Sequence, residues 1–172
     1  ALSALRPATL QALTPEQLAS LKPEQVRALT TSQLGGLGTD TLNALTAQQF
    51  GEFSSAQLRS LSTRQVSALE LDDLAALNSA DMRALSSLQL GALGIDQVQA
   101  LTAGQVAGFG SAQVIGLGTT QLQQLSETAL QGMSSAAIAG LRSQQLDALS
   151  ADQMQALSSQ QLRGLTSRQL QQ

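Results

Sequence analysis

The sequence predicts an all-α solenoid, a superhelix of very short helices with one helix in each eight-residue repeat. The first observation is the repeat itself. When positions are lettered a to h from Leu2, positions a and d are apolar in every repeat, and the consensus is L-x-A-L-T-x-x-Q. The second observation is that helix-start signals recur at one point of each repeat. About 21 repeats follow one another without a break in register.

The helix of each repeat is predicted to start just after position e. In the segment 14–21, Thr14 is an N-cap candidate and Gln17, three residues later, completes a capping box. Pro15 follows the cap at the first helical position, where its missing N–H costs nothing. All three prolines, Pro7, Pro15 and Pro23, occupy this one slot. The pattern therefore predicts a new helix in every repeat.

Two other architectures fit the pattern less well. A continuous helix would rotate its apolar stripe by about 80° per repeat, so two such helices could not share a seam. A β-solenoid would show period-two alternation and β-branched residues, whereas positions a and d are three apart and mostly Leu. The helical solenoid is therefore preferred.

Each predicted helix is only about six residues long and is not stable alone, because helices below about 12 residues are marginal in water. Leu at positions a and d is expected to form a shared core. The small residues at position c are expected to let adjacent backbones approach; only Glu52 and Gln124 depart from Ala, Gly or Ser there. The number of repeats per turn stays open. Two would give a rod of about 100 Å, and three a rod of about 65 Å.

The whole chain, residues 1–172, is predicted to be a single octapeptide-repeat solenoid. No linker or shift of composition interrupts the array. The first residue is not Met, and the last residues stop within a repeat. We therefore expect a fragment of a longer array.

The composition argues against several functional classes. The chain has no Cys, His, Trp or Tyr and one Lys, Lys22, so His-based catalysis and Cys/His zinc sites are excluded. We expect no enzyme activity, cofactor or metal. The net charge is −3 and the eight Arg are scattered, which gives no footprint for nucleic acid. No apolar run approaches the roughly 18 residues of a membrane span, so membrane insertion is not expected.

Two segments carry a family resemblance. They are Ala44-Leu45-Thr46-Ala47-Gln48-Gln49 and the run from Ala100 to Val106. They resemble the A-L-T-T-x-Q-(I/V/L)-x octapeptide arrays of very large bacterial surface and secreted proteins, including repeat-rich adhesins and type I-exported proteins. The resemblance covers essentially the whole chain and implies a secreted or cell-surface location. It implies no catalytic or ligand-binding residue, and calcium dependence is not implied because Gly-Gly-x-Gly-x-Asp is absent.

A few side chains are candidates for a functional role. The acids Glu70, Asp72 and Asp73 are interpreted as a first helical turn favoured by the helix dipole rather than as a metal site. The Gln residues at position h are interpreted as capping groups rather than as a binding surface. Ala129 and Ala137 replace this Gln, so their helices should be the least well capped. A possible protein contact is predicted at four apolar residues in normally polar positions: Leu71, Leu88, Ile95 and Ile115.

Two functions remain in competition. The first is a stalk or spacer in a large bacterial surface or secreted protein, which the monotony of the sequence favours. The alternative is an extended binding scaffold that recognises a partner protein or cell-surface glycan through positions b, f and g. Those positions include six arginines: Arg27, Arg59, Arg83 and Arg163 at b, and Arg64 and Arg168 at g.

Overall fold

The computed structural model describes residues 4–167 and residue 169, so Arg168 lies outside the described residues. Within that part of the chain it contains twenty short helices and no strand. Each has four to six residues. The bounds are α1 Pro7–Gln11, α2 Pro15–Ala19, α3 Pro23–Arg27, α4 Thr31–Gly35, α5 Thr39–Leu42, α6 Ala47–Phe50, α7 Ser55–Ser60, α8 Thr63–Ser67, α9 Leu71–Ala75, α10 Ser79–Ala84, α11 Ser87–Gly91, α12 Ile95–Gln99, α13 Ala103–Val106, α14 Ser111–Val114, α15 Thr119–Gln124, α16 Glu127–Gly132, α17 Ser135–Ala139, α18 Ser143–Asp147, α19 Ala151–Ala156 and α20 Ser159–Arg163. The predicted solenoid of very short helices is confirmed.

The helices begin where the capping signals predict. Pro7, Pro15 and Pro23 are the first residues of α1, α2 and α3. At α2 the hydroxyl of Thr14 accepts from the N–H of Gln17, and the Thr14 N–H donates to Gln17 Oε1 at 2.9 Å. Each N-cap backbone is extended, as at Thr14 with φ −71° and ψ 159°, which ends the preceding turn. The chain therefore bends once per repeat, and no described residue has a positive φ.

The helices stack in three columns. Each helix packs against the third helix along the chain: α4 on α7, α7 on α10 and α10 on α13, with the same rule in the other two columns. One turn of the superhelix therefore takes about three repeats, not two. Twenty helices in three columns make about seven layers, so a layer spacing of 8–10 Å gives a rod of about 65 Å.

The core lies along the centre of this three-sided rod. It is built from the side chains at positions a and d, and those at a, such as Val26, Leu58 and Val98, are fully buried. Phe50 and Phe53 pack edge to face there, with ring centroids 5.1 Å apart. The apolar residues of all three columns form one continuous cluster along the rod.

Position c is where neighbouring layers touch most closely. A Cβ on Gly108 would overlap the carbonyl group of Ser79, which is the first residue of the helix one layer earlier. A Cβ on Gly140 would lie 2.6 Å from the Cα of Ser111, in the same relation. The small residues at position c are thus required by backbone approach.

The two large residues at position c are each matched by a polar partner one layer earlier. Glu52 forms an ion pair with Arg27. Gln124 accepts, through Oε1, a hydrogen bond of 2.6 Å from Gln99 Nε2. Both partners occupy position b and lie 25 residues earlier in the chain. A side chain too large to fit between the layers is therefore held at the surface by a specific contact.

Two glycine substitutions around α13 should act in opposite directions. Gly108→Ala should lower the free energy of unfolding by about 1–3 kcal/mol, because the new methyl group overlaps backbone. Gly104→Ala should raise it by about 0.5–1 kcal/mol, because the position is helical and its nearest contact is an ordinary 3.9 Å. Urea denaturation of both variants measures the two effects, and equal effects would contradict the packing described for position c.

Candidate functional site

The glutamines at position h serve first as capping groups. Ser54 N–H donates to Gln57 Oε1 at 2.8 Å, and Gln57 N–H donates to Ser54 Oγ at 3.3 Å. The same reciprocal pair recurs at most helix starts, for example between Thr102 and Gln105. The predicted capping role is confirmed. The side chains are also buried: Gln57 is 3% exposed, which removes it from any binding surface.

The other half of each amide connects two layers. Gln57 Nε2 donates to the carbonyl of Leu29 at 2.8 Å and to that of Val26 at 3.0 Å, which lie 28 and 31 residues earlier. We call this repeated pair of bonds the interlayer ladder. Among the described residues the same pair is made by Gln49, Gln57, Gln65, Gln89, Gln97, Gln105, Gln113, Gln121, Gln145, Gln153 and Gln161.

The interlayer ladder was not predicted, although position h contains a signal for it. A capping box works with Glu as well as with Gln, because either side chain can accept from the N-cap N–H. Yet Glu never occurs at position h. The preference for Gln over Glu, which has the same length, indicates that the side chain usually also donates, and a buried donor requires an acceptor in another layer.

Two repeats interrupt the ladder with Ala. Ala129 and Ala137 are fully buried and keep the first half of the cap, since their N–H groups donate to Ser126 Oγ and Ser134 Oγ. These helices lack the reciprocal bond, because Ala has no side-chain acceptor. It has no amide donor either, so the ladder is broken at both repeats. The prediction that they are the least well capped is wrong, because the N-caps Arg6 of α1 and Gly38 of α5 make no side-chain cap bond at all.

Two further repeats have Asp at position h. At α10 the carboxylate keeps the capping role, since Asn78 N–H donates to Asp81 Oδ2 at 2.9 Å. At α9 Asp73 is only 4% exposed, and its Oδ2 has no hydrogen-bond partner among the described residues. Burial, reinforced by the negative charges of Glu70 and Asp72, raises the pKa of Asp73 to about 6. The helix dipole alone therefore does not account for these three acids, because Asp73 is buried where the layers meet.

Side chains at position b make a second set of contacts between layers. Arg59 Nε donates to the carbonyl of Ala84 at 3.1 Å, and Arg83 Nε donates to that of Gly108 at 3.3 Å. Asn43 Nδ2 donates to the Ala68 carbonyl at 2.6 Å in the same relation, 25 residues apart. These arginines therefore hold neighbouring layers together, while they stay exposed at the surface.

The four apolar residues predicted to contact a partner are all exposed, with fractions of 46% at Leu71, 75% at Leu88, 38% at Ile95 and 37% at Ile115. Leu71 and Ile95 lie in the same column and line one shallow groove, together with Glu70 and Asp96. Leu88 and Ile115 do not line that groove.

The number of columns decides which of these residues lie side by side. Two repeats per turn would have paired Leu71 with Leu88, whereas three columns pair Leu71 with Ile95. Contact of these residues with a partner stays a prediction.

The described residues contain no group of three or more acidic, His or Cys side chains that could hold a metal ion. In the same part of the chain, none of the helices has the length and apolar character needed to cross a bilayer.

The interlayer bonds should make a glutamine at position h far more important than one at the surface. Gln97→Ala removes the bond from Gly94 N–H and the bonds to Val66 and Leu69, so unfolding should become easier by about 2–4 kcal/mol. Gln99→Ala, in the same helix α12, removes only the bond to Gln124 and should change stability by less than about 0.5 kcal/mol. Thermal and urea unfolding compare the two variants, and similar losses would argue against the ladder.

The repeat was also compared with known proteins. Three stretches, residues 2–31, 66–103 and 127–159, match the ALTTAQ repeat, and together they make up more than half of the chain. A search of curated proteins found no match. The matched stretches include the Gln positions, the small position c and the apolar positions a and d described above. The chain belongs to the ALTTAQ repeat family.

Proposed function

We propose that this chain is a stalk or spacer that holds other parts of a large bacterial surface or secreted protein apart, without enzymatic activity. The observation that carries the proposal is the interlayer ladder, in which one glutamine bonds the layers at the same spacing along the rod. A structure of this kind has a length set by the number of repeats. Each added layer that has Gln at position h makes the same bonds as the one before it.

The surface supports this role more than a binding role. Position b, one of the candidate positions for recognition, is used at Arg59, Arg83 and Asn43 to join layers. The grooves are shallow. Among the exposed apolar residues, Leu71 and Ile95 form a pair, and the others stand alone. The secreted or surface location rests on the resemblance to bacterial octapeptide arrays and is part of the proposal.

Duplicating repeats should lengthen the rod by a fixed step. A tandem duplication of residues 54–101 adds six repeats, which is two layers, and should increase the distance between the ends by about 16–20 Å. The chain has no Cys, so the changes Glu24→Cys and Ser159→Cys introduce unique labels on exposed residues for a distance measurement by dipolar spectroscopy. The unduplicated chain with the same labels is the reference, and an unchanged distance would contradict a rod that grows by layers.

The role itself is tested on a cell surface. Arrays of different length are placed between a membrane anchor and a reporter epitope, and antibody access to the epitope is measured. A spacer predicts access that rises with repeat number and is unaffected when exposed residues at position g are exchanged for other polar residues. Access that follows the exchanged residues instead would favour the binding scaffold.

A further inference from the structure

Asp73 stands where the interlayer ladder requires a donor. It occupies position h of α9, and its neighbour in the preceding repeat, Gln65, donates to the carbonyls 31 and 28 residues earlier. The same register assigns to Asp73 the carbonyls of Leu42 and Leu45. An ionised carboxylate has no hydrogen to donate to them.

The carboxyl group of Asp73 is poorly satisfied. The backbone of Glu70 favours its ionised form, but α9 lacks the reciprocal capping pair that Ser62 and Gln65 form in the preceding repeat. One carboxyl oxygen, Oδ2, is buried and has no hydrogen-bond partner among the described residues. A buried charged oxygen without a partner is strongly unfavourable in the ionised state.

The elements around Asp73 supply no positive charge that is free to pair with it. On its own helix and cap lie Asp72 and Glu70. Of the two helices that pack on α9, α6 carries no charged residue and α12 carries Asp96. Glu52, just after α6, is already paired with Arg27.

The segment that contains Leu42 adds another acid, Asp40. Arg64 of α8 lines the same groove as Asp40, and the charges that act on the pKa of Asp73 are the negative charges of Glu70 and Asp72.

We propose that Asp73 makes the joint between α9 and the layer before it a pH-responsive element of the rod. When the carboxyl takes up a proton from solvent, its O–H donates to the carbonyl oxygens that a glutamine amide meets in other repeats. The side chain of Asp is one methylene shorter than that of Gln. The two layers therefore move closer together when this bond forms. When the carboxyl is ionised, this hydrogen bond cannot form. The contact between α9 and the layer before it then opens more easily than a contact that a Gln amide secures.

The direction of the pH effect follows from the raised pKa. In the folded chain the pKa of Asp73 is about 6, above the ordinary value of 3.8. The folded state therefore holds the proton more tightly than the unfolded state. The stabilisation is complete below the ordinary value and is lost as the pH rises through about 6. The stability therefore changes mainly between about pH 4 and pH 6.

Native-state hydrogen exchange of the full chain between pH 4.5 and pH 7.5 tests the proposal. After correction for the intrinsic exchange rate, the opening of α9 should increase with pH, approach tenfold per pH unit between about pH 4 and pH 6, and level off above pH 6. Opening of α7 and α12, which Gln57 and Gln97 bond to the preceding layer, should change far less with pH.

Three variants separate Asp73 from its acidic neighbours. Asp73→Asn supplies a neutral donor of the same size and should keep α9 closed at every pH, whereas Asp72→Asn, an exposed neighbour, should keep the pH dependence. Asp73→Ala, the equivalent of Ala129, should open easily at every pH. The proposal is overturned if Asp73→Asn retains the pH profile of the unmodified chain, or if opening of α9 in the unmodified chain does not rise with pH.

Discussion

The structure depends on both ends of the glutamine side-chain amide being used at once. The carbonyl oxygen caps the helix in its own repeat, while the NH₂ group bonds two carbonyls of the layer before it. Each helix is too short to persist alone, so a local bond is useful only if the same side chain also secures a neighbour. The amide meets both requirements within one residue. A carboxylate meets only the first, as at Asp81, and the side chain of alanine meets neither, as at Ala129.

Small side chains at position c and long polar side chains at position b fit the layers to the spacing that the glutamine bonds require. Glycine or alanine at c lets the upper helix rest on the backbone of the lower one, as Gly108 does on Ser79. A long polar residue at b reaches the carbonyl of position c in the next layer, as Arg59 does at Ala84. Where position c is large, at Glu52 and Gln124, the residue at b becomes its partner. The contacts are thus local to adjacent layers, which is why a rod of any number of layers is stable by the same means.

Much of this could be predicted from the sequence, because its signals are local. The helix starts at the prolines, the capping box of Thr14 and Gln17, the apolar core and the close approach at position c each depend on residues within one repeat. The number of columns could not be predicted, because it depends on how far the chain bends at each extended residue. The interlayer ladder and the burial of Asp73 both follow from that number, since it decides which carbonyl lies opposite position h. The pairing of Leu71 with Ile95 was missed for the same reason.

The most direct test of the ladder is the hydrogen-exchange rate of the glutamine side-chain NH₂ groups, resolved by NMR in the folded chain. We expect slow exchange at buried glutamines such as Gln57 and Gln89, whose side-chain amide hydrogens are bonded to carbonyls of another layer. Exposed glutamines such as Gln48 and Gln160 should exchange as fast as in a peptide. Equal and fast exchange at both sets would contradict the claim that these amides hold the layers together.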